Sequence, residues 1–346
     1  MKATDHSALE RARPRHRVTM AEVGRIAGVT QVTVSRALSD PSKVSSATLE
    51  RIRHAIEATG FVPNALAGAL ASQRSMLVSA LVPSLTNVVY SAMLASFGRA
   101  MRADGYQLLV TETGFDPEEE AEAVETHLSR RPDALLLTGV HHAPRTRRML
   151  LAAGVPVVEL WDMTETPIDI CVGFSHRRAG EAMADFALGK GHRRAAVATA
   201  ADERARRRAS AFAARFITGG GAGPVPEAVA ERASIETGRD LLADLLDNRG
   251  FAGGVVACSS DVLAHGVMIE AQARGLNVPG QVAVIGFGDQ EFARATHPAL
   301  STVKVDLDRL GREGAAALTA RLTGQTPAPS EHVIDLGFEI VDRATA

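Results

Sequence analysis

From Met76 onward the chain alternates short apolar runs with helical stretches, and this regular exchange constrains the fold more than any other feature. Leu77 to Val82, Gln107 to Thr111, Ala134 to Thr138 and Val157 to Leu160 have strand length, with helical stretches at Val88 to Ala103, Pro117 to Arg130 and Arg145 to Ala153. A second series sets Ile170 to Phe174, Ala195 to Thr199, Gly254 to Cys258 and Val282 to Gly286 among helices near Arg177 to Leu188, Arg204 to Ile217, Thr237 to Asn248 and Val262 to Ala273. Strands apolar along their whole length, joined by helices, call for a parallel sheet covered on both faces. Two such series predict two doubly wound lobes, with any ligand in the cleft where the carboxyl ends of the strands meet.

The stretch before them, VTMAEVGRIAGVTQVTVSRAL from Val18 to Leu38, follows another period. Thr19 with Glu22 three residues on reads as a capping box that starts a helix over Met20 to Ala27. Gly28 tolerates the positive φ needed to leave that helix, so Gly28-Val29-Thr30 is a tight turn. Thr30 caps a second helix, Gln31 to Leu38, whose Val34, Ala37 and Leu38 are expected to face inward with Val23, Ile26 and Ala27. Its outer face carries Gln31, Val32, Ser35 and Arg36. Gln31 has the donor and acceptor pair that reads adenine, Arg36 can fork onto guanine or phosphate, and Val32 can touch a thymine methyl. Such a face after a glycine turn suits a helix-turn-helix whose second helix enters the major groove of DNA. Ser45 or Ser46 caps a third helix to about Thr59, with Leu49, Ile52, Ala55 and Ile56 closing a three-helix core and Arg51 and Arg53 outside.

The net charge of −2 hides an asymmetry. Residues 1–75 carry eleven Lys/Arg against six Asp/Glu, whereas the remainder is net −7. A basic head on an acidic body suits a phosphate-binding module joined to one that does not bind nucleic acid. Arg11, Arg13, Arg15 and Arg17 form either an arm that attracts phosphate or a solubilising tail. Past Phe61-Val62-Pro63, the run Asn64 to Ala71 is too short for a stable isolated helix, and Gly68 weakens it further. It is either a hinge that folds on DNA, with Leu70 as a minor-groove wedge, or a plain linker.

Several classes are disfavoured. At 346 residues the chain suggests two or three domains, and no apolar stretch approaches the ~20 residues of a membrane span. The polar start, MKATDHSALERARPRHR, has no signal-peptide core, so a cytoplasmic protein is expected. Cys171 and Cys258 lie in apolar runs without metal-ligand spacing, and His141, His142 and His192 read as surface residues, so neither metal nor cofactor is expected. No GxxxxGK[ST], GxSxG, HExxH or GxGxxG string occurs, which argues against an enzyme.

The head TMAEVGRIAGVTQVTVSRAL, followed by KVSSATLERIRHAIEATGFVPNALAGAL and the two-lobed pattern, resembles the lactose/galactose repressor (LacI/GalR) family from Val18 to about Asp342. The strings LVPSLTNVVYS, APRTRRML, VPVVELWD, IDICVGFS and IDLGF are similar to the gluconate utilisation repressors within it. The resemblance implies a homodimer on a pseudo-palindromic operator, paired hinge helices in the minor groove and a periplasmic-binding-protein-like core. It implies DNA contacts from Thr19, Thr30, Gln31, Val32, Thr33, Ser35, Arg36, Asn64, Ala67 and Leu70. Ala65 and Gly68 depart from the family's hinge. The expected organisation is a basic arm over 1–16, the helix-turn-helix domain over 17–63, a hinge over 64–75 and a core over 76–342. Within that core, the N-lobe takes about 76–174 with about 306–330, and the C-lobe about 175–305 with about 331–342. No leucine-heptad tail follows Asp342, which favours a dimer over a tail-built tetramer.

A sugar acid, gluconate or its phosphate, offers hydroxyls and a carboxylate, so its site needs hydrogen-bonding side chains with a cation or a helix N-terminus. Residues after the strands supply Ser84, Asn87, Tyr90, Arg145, Asp162, Ser175, Arg208, Ser260, Asp261 and Asp289, each of which is otherwise a core residue, helix cap or ion-pair partner. By resemblance Arg208 stands where family members hold an arginine against the effector, and Gly288-Asp289 replaces an Asp-Asp pair. The leading function is a repressor whose DNA affinity is set by this small polar effector. A transporter's solute-binding protein and an enzyme such as a sugar-acid kinase with a DNA-binding head are the other classes. The missing export signal and phosphate loop disfavour them.

Overall fold

Thr19, Thr30 and Ser45 each start a helix in the computed structural model, which describes residues 18–63, 74–325 and 332–346. The chain divides into two units, 1–75 and 76–346. In the first, α1 (Met20–Ala27), α2 (Gln31–Ser39) and α3 (Ser46–Thr59) are capped by side-chain oxygens. The Thr19 hydroxyl accepts from the Glu22 N–H at 3.3 Å and the Thr30 hydroxyl from the Thr33 N–H at 3.2 Å. Each cap satisfies an orphan helix amide, worth about 1 kcal/mol.

Two glycines set the α1–α2 angle. Gly28 leaves α1 at φ 67°, and a Cβ on Gly24 would stand 2.8 Å from the Val29 carbonyl oxygen. The turn thus presses onto α1 where no side chain fits. Val23, Ala27, Val34, Ala37, Ile52, Ala55 and Phe61 form the interior. Ile26 and Leu38 do not join them: they are 46% and 37% exposed. Ile26 lies about 100° around the helix from the Val23–Ala27 ridge. Leu38, in the last full turn of α2, extends beyond this small core.

The second unit holds two six-stranded sheets. In the first, β11 (Val333–Asp335), β5 (Ile170–Gly173), β4 (Val157–Leu160), β3 (Ala134–Thr138), β1 (Leu77–Val82) and β2 (Gln107–Glu112) follow in spatial order. In the second the order is β12 (Glu339–Val341), β10 (Ser301–Lys304), β9 (Val282–Phe287), β8 (Gly254–Cys258), β6 (Ala195–Ala200) and β7 (Glu227–Ala230). All pairings are parallel except β10 with β12. The helices α4 (Val88–Ala103), α5 (Pro117–Leu128), α6 (Pro144–Ala153), α7 (His176–Gly189) and α8 (Glu203–Thr218), with those that follow them, join the strands and cover the sheets. Strands β3, β4, β5, β6 and β9 are buried along their whole length, as their unbroken apolar runs require.

Ile170–Gly173 pairs with β4 in the first sheet, in keeping with N-lobe bounds of about 76–174 and against its place at the head of the second series. The last crossing between lobes falls after Asp335, not near 331, because Val333 pairs with Cys171 and Asp335 with Gly173. No helix among the described residues is long and apolar enough to cross a membrane.

Candidate functional site: a helix face and an arginine-lined cleft

On α2 the side chains of Gln31, Val32, Ser35 and Arg36 are all exposed, Val32 by 66%. Arg36 makes no ion pair among the described residues, so its guanidinium is free to take an external acceptor. Thr19 and Thr30 use their hydroxyls as caps, and Thr33 lies half-buried with its hydroxyl 3.0 Å from that of Thr30. Asn64, Ala67 and Leu70, with the arginines of the amino-terminal arm, lie outside the described residues.

In the second unit, strand ends from both sheets meet around one helix, α8 (Glu203–Thr218). Its Arg204, Arg207 and Arg208, spaced three and one apart, share a broad face. Arg204 donates to the carbonyl of Thr138, at the end of β3, at 3.2 Å and lies 5.7 Å from the Tyr90 ring centre. Arg207 pairs with Asp162, just beyond β4, and with Glu203 at 2.6 Å. Arg208 donates to His176 Nδ1 at 2.8 Å and to the Ser259 carbonyl at 2.9 Å, and stacks 3.9 Å over Phe287. Trp161, Phe174, His176 and Phe287 complete an aromatic floor.

The electrostatics of this cluster are uneven. Arg204 and Arg208 are 8% and 7% exposed, yet neither pairs with a carboxylate among the described residues, and Arg208 Nε is buried without an acceptor there. Burial, with Arg204 close by, lowers the Arg208 guanidinium to about 10. His176 is held well below the usual imidazole range by burial and by the three arginines. Its Nδ1 accepts from Arg208, so the imidazole is neutral and donates from Nε2 to the Trp161 carbonyl at 2.9 Å.

The cluster is packed shut, and the hollow beside Arg208 is only about 10 Å³. A larger trough of about 850 Å³ lies along the outer side of α8, bordered by Arg177, Arg206, Ser210 and Arg215, and reaches the cluster only at Glu203 and Arg207. It is a broad, open surface. The small hollow is mostly apolar, lined by Met183, Val197, Phe212 and Ala257, with Arg208 and Ser259 at its polar side.

Of the sequence-derived candidates, Asp162, Arg208 and Tyr90 fall in the cluster. Asn87, Ser175 and Ser260 are N-caps, accepting from the amides of Val89, Arg178 and Leu263, and Ser84 accepts from the Asn87 amide. Arg145 pairs with Glu125 on the surface, because its place at the start of Pro144–Ala153 turns it toward the helix Pro117–Leu128. Asp261 is buried against Thr302 at 2.5 Å and the Gln290 amide at 2.7 Å, and burial raises its carboxyl to about 6. Asp289 pairs with Arg343 at 2.6 Å. Sequence reasoning missed Arg204, Arg207, Trp161, His176 and Phe287.

The histidines divide. His142 is not a surface residue: its side chain, 1% exposed, bridges Glu120 at 2.7 Å and Glu159 at 3.2 Å. Burial opposes its charge, but the two carboxylates outweigh that and raise the imidazole to about 9. Exposed His141 lies with Asp162 and Glu203 in a group whose donor atoms fall within 4.8 Å of one another. Arg207 reaches both carboxylates, so a guanidinium already supplies the cation there.

A helix-turn-helix head with an exposed polar face, joined in one chain to a two-lobed, ligand-protein-like core, is the arrangement of a DNA-binding transcriptional regulator. Residues 19–64 match the bacterial regulatory proteins of the lacI family, and 184–346 match the periplasmic binding protein-like domain. The HTH-type transcriptional regulator GntR of Pseudomonas aeruginosa is 36% identical over 329 residues, spanning 94% of this chain and 95% of that protein. A LacI family regulator from Silicibacter pomeroyi superposes with a TM-score of 0.87 at 32% identity, over 95% of this chain and 99% of that one. The lac repressor dimer bound to operator and the anti-inducer ONPF gives 0.81 at 25% identity, again over 95% and 99%. The chain belongs to the lacI family of bacterial regulatory proteins.

Proposed function

We propose that the chain represses sugar-acid utilisation genes of the gluconate type, binding a pseudo-palindromic operator as a homodimer and releasing it when a sugar acid enters the cleft. One observation carries the effector class: two buried guanidinium groups, Arg204 and Arg208, that make no ion pair among the described residues, with Arg208 Nε lacking an acceptor there. A buried charge is costly unless paired, and a ligand carboxylate or phosphate supplies the missing charge. Neutral sugars do not. The resemblance of LVPSLTNVVYS, VPVVELWD and IDLGF to gluconate repressors supports the same class.

In this reading Gln31, Val32 and Arg36 read bases, while Thr19, Thr30, Thr33 and Ser35 approach the phosphates. Asn64, Ala67 and Leu70 belong to the hinge. The contacts of Arg204 with Thr138 and of Arg207 with Asp162 tie the lobes together, and the ligand takes over part of that bonding. Changing the lobe arrangement alters the spacing of the two heads in the dimer, so operator and effector oppose each other reciprocally. A thermal-shift series with D-gluconate, 6-phosphogluconate and D-glucose tests the class, since a ligand that binds only the folded state raises the melting temperature. Stabilisation by the acids but not by glucose is expected. Stabilisation by glucose alone overturns it.

A further inference from the structure

Trp161 has φ 76°. A bulky side chain in the left-handed region is an outlier that persists only where its surroundings over-determine it. Here they do. Its amide donates to the Val172 carbonyl at 3.3 Å and its carbonyl accepts from His176 Nε2 at 2.9 Å. Its ring meets Tyr90, Phe174, His176 and Phe287 edge-on, with centroid separations of 5.1 to 6.3 Å.

Trp161 follows β4 of the first sheet, His176 begins α7 (His176–Gly189), and Arg208 lies on α8 after β6 of the second. The hydrogen-bonded series Trp161 carbonyl, His176 imidazole, Arg208 guanidinium, Ser259 carbonyl therefore runs from one lobe into the other. His176 is the only member that must both accept and donate, and a neutral imidazole does so with fixed geometry. Arg208 cannot turn to another partner without breaking the bond to His176.

We propose that His176 is a positioning residue that holds Arg208 aimed at the effector's anionic group, and that effector binding is transmitted through His176 to the strained Trp161. The inference rests on the sugar-acid reading above. It adds a residue that touches no ligand and a spectroscopic reporter, since Trp161 is the sole tryptophan of the chain.

The test uses the full-length protein with D-gluconate and 6-phosphogluconate as probes, following Trp161 emission and, in parallel, the heat of binding. Wild type is expected to change its emission as heat is released. His176→Phe, which keeps the ring but neither polar atom, shifts the midpoint up by about 10- to 100-fold, the worth of a charge-assisted hydrogen bond. His176→Gln supplies an acceptor and a donor and restores the midpoint to within about fivefold. A midpoint for His176→Phe within threefold of wild type overturns the inference and leaves the effector reading standing, as does binding heat without an emission change. Absence of heat with both probes overturns both. If His176→Phe does not fold, nitrogen-15 NMR of wild-type His176 decides: a neutral Nε2–H imidazole at pH 6 supports the relay, and a charged ring or an Nδ1–H tautomer overturns it.

Discussion

The reading face of α2 and the cluster on α8 both present polar side chains, but in opposite states. Gln31, Ser35 and Arg36 stand exposed on a helix whose backbone ends are already capped. Arg204, Arg207 and Arg208 are bound to partners in the protein, and Arg204 and Arg208 are almost out of water. An exposed face changes little when its partner arrives, so its contacts act nearly independently and respond to salt. A closed cluster must exchange internal bonds for ligand bonds, so its residues act as a unit. In the proposed function that exchange makes it a switch, while the head is a reader.

The sharpest way to break this contrast is Arg208→Leu. Removing the buried guanidinium is expected to weaken gluconate binding by more than about 100-fold by calorimetry, because the anion then meets no oriented fork; a tenfold change or less contradicts it. On the reader side, Gln31→Ala and Arg36→Ala are each expected to cost about 1–3 kcal/mol of operator affinity by anisotropy while leaving gluconate affinity untouched. A smaller effect, on stability, comes from Gly24→Ala, whose methyl meets the Val29 carbonyl. A loss of roughly 1–3 kcal/mol is expected in denaturant melts that follow the head. An unchanged melt means the turn is looser than described.

An effect of similar size concerns pH. The His142 imidazole is raised to about 9 in the folded core, against about 6.5 when unfolded. Its stabilisation is therefore complete below about 6.5 and fades as pH rises through 9. Stability measured by calorimetry should fall over that window by roughly 3 kcal/mol, and His142→Gln should flatten the fall. Equal slopes in both proteins remove His142 as the cause.

The reader was legible in the chain because its signals are local. Thr19, Gly28 and Thr30 mark helix ends within a few residues, and a three-residue offset decides which side chains face out. The core's long strands were legible as well, since strands covered on both faces are apolar throughout. Ser301–Lys304, Val333–Asp335 and Glu339–Val341 were not: at three or four residues they carry too little pattern, and pairing with distant strands creates them.

The switch was legible only in part. Polar residues that follow a strand cap the next helix before they do anything else, which is why Asn87, Ser175 and Ser260 satisfy backbone amides. Arg204 and Arg207 had a readable signal in their spacing from Arg208. Trp161, His176 and Phe287 had none, because only the meeting of two sheets brings them together.

The most direct measurement is operator affinity by fluorescence anisotropy at saturating D-gluconate, 6-phosphogluconate and D-glucose. The account predicts at least a tenfold loss of operator affinity with an acid and none with glucose, with the loss abolished in Arg208→Leu. Operator affinity that ignores both acids, or falls equally with glucose, would contradict it.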